Sequence, residues 1–195
     1  ESYWDILITM RRIRPANHDF TLYGVVRRNA QVFANRLAFV DNNRRLTFKA
    51  FLDLTDRLAV GLRKEGIRRG DRIGVMSRNN LEYFALYYAA ARCGGILVPI
   101  NTRLSQEEVQ YILGDCEPKL LFADPSFQPM LGLDVVKVDS IKRRFSMAHE
   151  QGHFADFDQL LHGDSEMKEV GVSSDDGLIL IYTAAMGGRP RGARS

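Results

Sequence analysis

The chain has 195 residues, 45% of them apolar and 26% charged, and a formal net charge of +3. One domain with a real core fits that length and apolar share, while two cysteines without C-x-x-C spacing, no signal-peptide h-region and no uncharged run of bilayer length exclude a disulfide scaffold and a transmembrane protein and suit a reducing, cytoplasmic setting. The excess charge sits in scattered doublets, Arg11-Arg12, Arg27-Arg28, Arg44-Arg45, Arg68-Arg69 and Arg143-Arg144, which read as solvated faces and turns rather than the single stripe of a nucleic-acid binder.

Thr21 to Asn35 carries Leu22, Val25, Val26, Ala30 and Phe33 at helical spacing. Leu37–Asp41 and Arg45–Thr47 flank Asn42-Asn43, a hairpin turn. Thr47 is placed to cap a long helix with Phe51, Leu54, Leu58 and Leu62 on one stripe and Gly66 beyond its end, although Ala50 stands where a capping box has Glu. Ile73–Met76 reads as a short buried strand. Asn80 then caps a helix with Leu81, Phe84, Ala85 and Tyr88 inward, ended by Gly94-Gly95. Ile96–Ile100 is the next strand. Ser105 and Glu108 form a capping box opening a helix with Val109, Ile112 and Leu113 inward and Gly114 at its close. Leu120–Ala123 is a strand stopped by Asp124-Pro125. From Pro125 to Ser174 the pattern is poor, with a strand expected at Val135–Val138 and a short capped helix at Asp156–Leu161. Strands alternating with helices predict an α/β fold with a mostly parallel sheet flanked by helices.

The apolar run Leu178–Ile181 feeds Tyr182-Thr183-Ala184-Ala185-Met186-Gly187-Gly188-Arg189-Pro190-Arg191-Gly192. A glycine-rich loop after a strand lets backbone N–H groups reach phosphate oxygens, and an arginine adds fixed positive charge. Gly-Gly and Pro-x-Gly also make ordinary turns. The stretch is neither G-x-x-x-x-G-K-[ST] nor G-x-G-x-x-G. Separately, His149-Glu150-Gln151-Gly152-His153 matches H-E-x-x-H. Zinc chemistry there requires a helix, which Gly152 disfavours, so a polar surface loop is the plainer reading.

The Tyr182–Gly192 stretch resembles the phosphate loop of the acyl-adenylate-forming (AMP-binding) superfamily, usually Y-T-S-G-T-T-G-x-P-K-G. Tyr182, Thr183, Gly188, Pro190 and Gly192 match, and Arg191 replaces the Lys. Ala184 replaces the Ser, Ala185 the Gly, and Met186 and Gly187 the two Thr, so three hydroxyls are lost. Upstream, Leu46 to Phe51, Gly70 to Asn80, and Cys93 to Ser105 with its Val98-Pro99-Ile100-Asn101-Thr102-Arg103-Leu104 resemble further stretches of the family, in the acyl-CoA synthetase branch.

The resemblance implies the N-terminal part of the large domain of an acyl-CoA synthetase-like fold, with residues 1–195 forming a single incomplete α/β subdomain. Relatives activate a carboxylic acid with Mg-ATP as an acyl-adenylate and pass the acyl group to the thiol of coenzyme A. It assigns nucleotide-phosphate binding to Thr183, Ala184, Ala185, Met186, Gly187, Gly188, Arg191 and Gly192. No catalytic or metal-binding residue is assigned within the chain, and this polypeptide by itself is expected to be inactive. A catalytically silent binding or scaffold module with the same fold is the alternative, supported by Ala184, Ala185 and Met186. A zinc hydrolase built on His149 and His153 is a further one. Expected partners are small molecules, with no nucleic acid; exposed apolar surface is also expected to promote self-association.

Overall fold

A computed structural model describes residues 21–148, 154–162, 167, 170–183 and 191–194, the last four by backbone alone. Helix α1 (Leu22–Val32) starts at Thr21, whose hydroxyl accepts the Gly24 N–H. It ends three residues before the expected Asn35, and Phe33 at its C-cap is 41% exposed rather than part of a buried stripe. Strands β1 (Leu37–Asp41) and β2 (Arg44–Thr47) form the expected hairpin, with Asn42 at φ 52°, a left-handed turn position that Asn tolerates.

Helix α2 (Phe48–Lys64) is capped by Thr47, whose hydroxyl accepts the Ala50 N–H; with Ala50 in place of Glu, that position has no side chain to accept the Thr47 N–H in return. Its stripe buries Phe51, Leu58 and Leu62 completely. After β3 (Arg72–Met76), Asn80 caps α3 (Leu81–Cys93), and Gly94 ends it in the left-handed conformation at φ 71°. One expectation fails here: Phe84 is 45% exposed, and its ring meets only the edge of the core at Phe39, 5.6 Å away. The apolar surface of α3 runs nearly all round, so periodicity could not single out the inward face.

Strand β4 (Ile96–Pro99) is followed by α4 (Gln106–Cys116), opened by the full Ser105–Glu108 capping box. Gly114 does not close α4; it lies inside the helix, and Glu117 at φ 45° takes the C-cap. Ser105→Ala removes the acceptor for the Glu108 N–H and is expected to cost about 1 kcal/mol, read as a lower urea midpoint at unchanged slope.

Strand β5 (Leu120–Ala123) runs into a 3-10 segment, Pro125–Leu131. The strand expected at Val135–Val138 is absent. That stretch is a turn and an irregular segment, and β6 (Arg143–Ser146) follows it. Two arginines at the head of β6 hid the strand from an apolar pattern, yet it pairs with β5 throughout, from Leu120↔Arg143 to Ala123↔Ser146. Short β7 (Ala155–Asp156) leads into a 3-10 helix, Phe157–Leu161, capped by Asp156 as expected.

The sheet order is β4-β3-β5-β6-β7, all parallel. Alternate side chains divide the core. Ile73, Val75, Phe122 and Phe145 face α2 and α3; Met76, Val98, Leu121 and Ala123 face α4. On the first face Phe122 stacks on Phe145 at 5.2 Å and meets Phe157 edge-on at 6.1 Å. Both cysteines are buried free thiols, as expected, and burial pushes each up to about 12. Among the described residues no helix is long and apolar enough to cross a membrane.

Candidate functional site

The segment after Ser173 is tied to the body by an ion pair between Arg69 and Asp176 at 2.5 Å. Leu97 then donates its N–H to the Leu178 carbonyl at 2.9 Å, and Ile179 bridges Leu97 in parallel sense. This places the next strand, β8 (Leu180–Thr183), beyond β4 and running with it. The expected strand Leu178–Ile181 is thus present, shifted two residues toward the glycine-rich loop.

Beyond the bridge, β8 pairs antiparallel with β9 (Arg191–Arg194). The register brings Tyr182 opposite Gly192 and Thr183 opposite Arg191. Of the eight positions assigned to phosphate binding, Thr183, Arg191 and Gly192 therefore meet across the base of a hairpin. Ala184, Ala185, Met186, Gly187 and Gly188 lie outside the described residues, as do His149 and His153 of the H-E-x-x-H stretch. Among the described residues no group of three His, Cys, Asp or Glu side chains gathers as a metal site.

β8 is two-faced. Leu180 and Tyr182 are half-buried against the core on the α4 side, whereas Ile181 and Thr183 are exposed. The Tyr182 hydroxyl donates to Asp115 in the last turn of α4. Burial first, and then this bond to a carboxylate, raise the Tyr182 phenol above the usual tyrosine range. The bond anchors the residue immediately before Thr183 to the body of the fold. Sequence reading missed it, since nothing at that separation marks Asp115 as a partner of Tyr182.

The parallel sheet brings the turns after β3, β4 and β5 to one edge, the usual ligand edge of such sheets. Asp124 organises it: Oδ1 accepts the Ser77 hydroxyl at 2.8 Å and Oδ2 accepts the Arg78 N–H at 2.7 Å. Arg78 and Arg103 are both exposed in these turns, the former over the Phe127 ring at 5.7 Å, and the Asn101 side chain accepts the Arg103 N–H at 3.0 Å. The strand adjoining β8 thus ends in a turn that carries the exposed positive charge of Arg103, which favours anions.

Comparison with known proteins gives a consistent result. The family described as "AMP-binding enzyme" matches residues 26–194. The long-chain-fatty-acid–CoA ligase FadD13 of Mycobacterium tuberculosis is 29% identical over 177 residues, 86% of this chain and 33% of that protein. A solved structure of a long-chain-fatty-acid CoA ligase from Rhodopseudomonas palustris CGA009 superposes with a TM-score of 0.83 at 36% identity, covering 91% of this chain and 44% of that one. The N-terminal domain of FACL13 from Mycobacterium tuberculosis gives 0.79 at 26% identity, covering 90% and 44%. The chain spans about a third of the length of the curated relatives it matches along most of its own length.

Proposed function

The chain belongs to the AMP-binding enzyme family, and on that premise we propose that it is the N-terminal part of an acid–thiol ligase. Such a ligase activates a carboxylic acid with ATP and transfers the acyl group to coenzyme A. The single observation carrying this reading is the β8–β9 hairpin, which holds Thr183 opposite Arg191 at the base of the family's phosphate-loop sequence. The names of the relatives, CoA ligases for fatty and aryl acids, support the reaction class. The fatty acid end of that range is the proposed substrate class. The share of the relatives' length that is matched supports an incomplete subdomain.

The chain's own contribution is to bind and neutralise phosphate. ATP with Mg²⁺ supplies the leaving pyrophosphate when bound, and coenzyme A supplies the acceptor thiol. Toward the nucleotide, Thr183 offers a hydroxyl and Arg191 a fixed cation. Ala184, Ala185, Met186, Gly187, Gly188 and Gly192 offer backbone N–H groups, which the glycines and alanines among them leave approachable. Such preorganised donors and charge are the main lever on a transferring phosphoryl group. The two free thiols support a reducing, cytoplasmic setting.

Two measurements test the reading. Inorganic pyrophosphate titrated into the chain, followed by its ³¹P resonance, is expected to saturate. Arg191→Ala is expected to weaken it about tenfold or more, the range for a charge-assisted hydrogen bond. Acid-dependent ATP–pyrophosphate exchange is expected to be absent for this polypeptide. Failure of pyrophosphate to bind would sink the phosphate assignment, and exchange above background would sink the division of labour.

A further inference from the structure

Strand β6 sends Arg143 and Arg144 to opposite faces of the sheet. Arg143 goes to the α2 side, where the Glu65 carboxylate and the Gln159 side chain take its guanidinium. Arg144 goes to the α4 side, next to Leu121 in the register. It is half-buried and meets carbonyls instead: Nε donates to Leu131 at 3.0 Å and Nη2 to Val136 at 2.9 Å. Burial pushes Arg144 below the ordinary arginine range, and among the described residues no carboxylate forms an ion pair with it. A guanidinium taken partly out of water is usually paired, and two carbonyl dipoles supply only part of that compensation.

Arg144 lines a cavity of about 470 Å³ between the Pro125–Leu131 segment, the following turn and β6. Pro129, Leu133, Val135 and Phe154 give the cavity apolar walls, and the buried Gln128 adds a polar one. Lys142, at the exposed mouth, donates to the Asp139 carbonyl at 3.0 Å and adds a second positive charge. Asp134 shares the exposed mouth with Lys142, and water and salt screen both, so the half-buried Arg144 supplies the charge inside the cavity.

We propose that this cavity binds a small organic carboxylate, its anionic head on Arg144 and its apolar body against Pro129, Leu133, Val135 and Phe154. The cation accounts for the head and the four apolar walls for a body that inorganic anions lack. The site is separate from the phosphate hairpin. Across the order β8-β4-β3-β5-β6 there are four inter-strand steps, about 19 Å at the usual spacing.

The test is a titration of the chain with sodium benzoate, followed by protein-observed NMR, with inorganic phosphate and benzyl alcohol in parallel. Benzoate is expected to saturate at one equivalent, about tenfold tighter than either comparison compound. Arg144→Gln is expected to weaken it about tenfold, as loss of a charge-assisted bond implies. Arg144 also clamps the 131–136 turn, so a second variant is needed that leaves the clamp alone. Leu133→Glu replaces one of the apolar walls with a carboxylate at the mouth, and the lost apolar contact together with the added like charge is expected to weaken benzoate about fivefold. Saturable benzoate binding that weakens in both variants supports the site. Absence of saturable binding, or binding unchanged by Leu133→Glu, overturns it. Phosphate binding as tightly as benzoate overturns the carboxylate assignment.

Discussion

Gly61→Ala is expected to destabilise the protein by about 3 kcal/mol, against the direction that helix propensity gives. Gly61 lies inside α2, where exchange for alanine ordinarily gains about 1 kcal/mol. Here a Cβ would stand 2.1 Å from the Leu160 carbonyl oxygen and 2.8 Å from the Leu160 carbonyl carbon and Cα. All three are backbone atoms, so no rotamer change relieves the clash. The Phe157–Leu161 segment would have to lift from α2, and it is pinned by Phe157 and Leu160, 1% and 2% exposed. Lifting them opens the aromatic core at Phe122 and Phe145. Overpacking of this kind costs about 1–3 kcal/mol and sometimes more, which outweighs the propensity gain. The check is urea denaturation of both proteins. A variant as stable as the parent would mean that the segment moves freely and that Phe157 and Leu160 contribute little.

Restoring the family's hydroxyls, Ala184→Ser with Met186→Thr and Gly187→Thr, is expected to raise pyrophosphate affinity about 100-fold. Each hydroxyl that donates to a charged phosphate oxygen contributes about 1.5–3 kcal/mol. Three such bonds would give more than 100-fold if all formed fully; solvent exposure and the ordering of three side chains reduce the sum. The measurement is the same ³¹P titration, made on the triple variant and on each single one. Unchanged affinity would mean that backbone N–H groups and Arg191 carry the binding, and that Ala184, Met186 and Gly187 are neutral replacements. It would also weaken the case for a catalytically silent module, which rests on Ala184 and Met186 together with Ala185.

The sequence was most legible where local chemistry decides structure. Thr47, Asn80 and Ser105 each announce a helix start through a side-chain oxygen within reach of a backbone N–H two or three residues on, and all three caps form. Strand β5 was legible because it is buried on both faces and its four residues are all apolar. Legibility ended where a tertiary partner decides. Strand β6 begins with two arginines whose partners lie outside the strand, distant Glu65 for one and the carbonyls of Leu131 and Val136 in the preceding irregular segment for the other. Gly114 looked like a terminator, yet α4 runs through it to bury Cys116 against the second core cluster. In the candidate site, Thr183, Arg191 and Gly192 were named from motif chemistry alone. Their mutual register, and the anchoring of Tyr182 to Asp115, come from strand pairing and helix placement that no local pattern encodes.

Because every neighbour pair in the five-stranded sheet is parallel, none is joined by a tight turn, and each pairing waits on a crossover. β3 is the first of these strands to be synthesised, and it lies between β4 and β5, with Ile73 matched to both Leu97 and Leu120. On the ribosome, then, β3 has both hydrogen-bonding edges bare until two later segments have emerged and been laid alongside it. Early in its life the chain therefore carries an apolar strand with nothing to pair with, the kind of surface that slows folding and recruits other chains. That interval of synthesis adds an opening for aggregation that closes once β3 is paired on both edges.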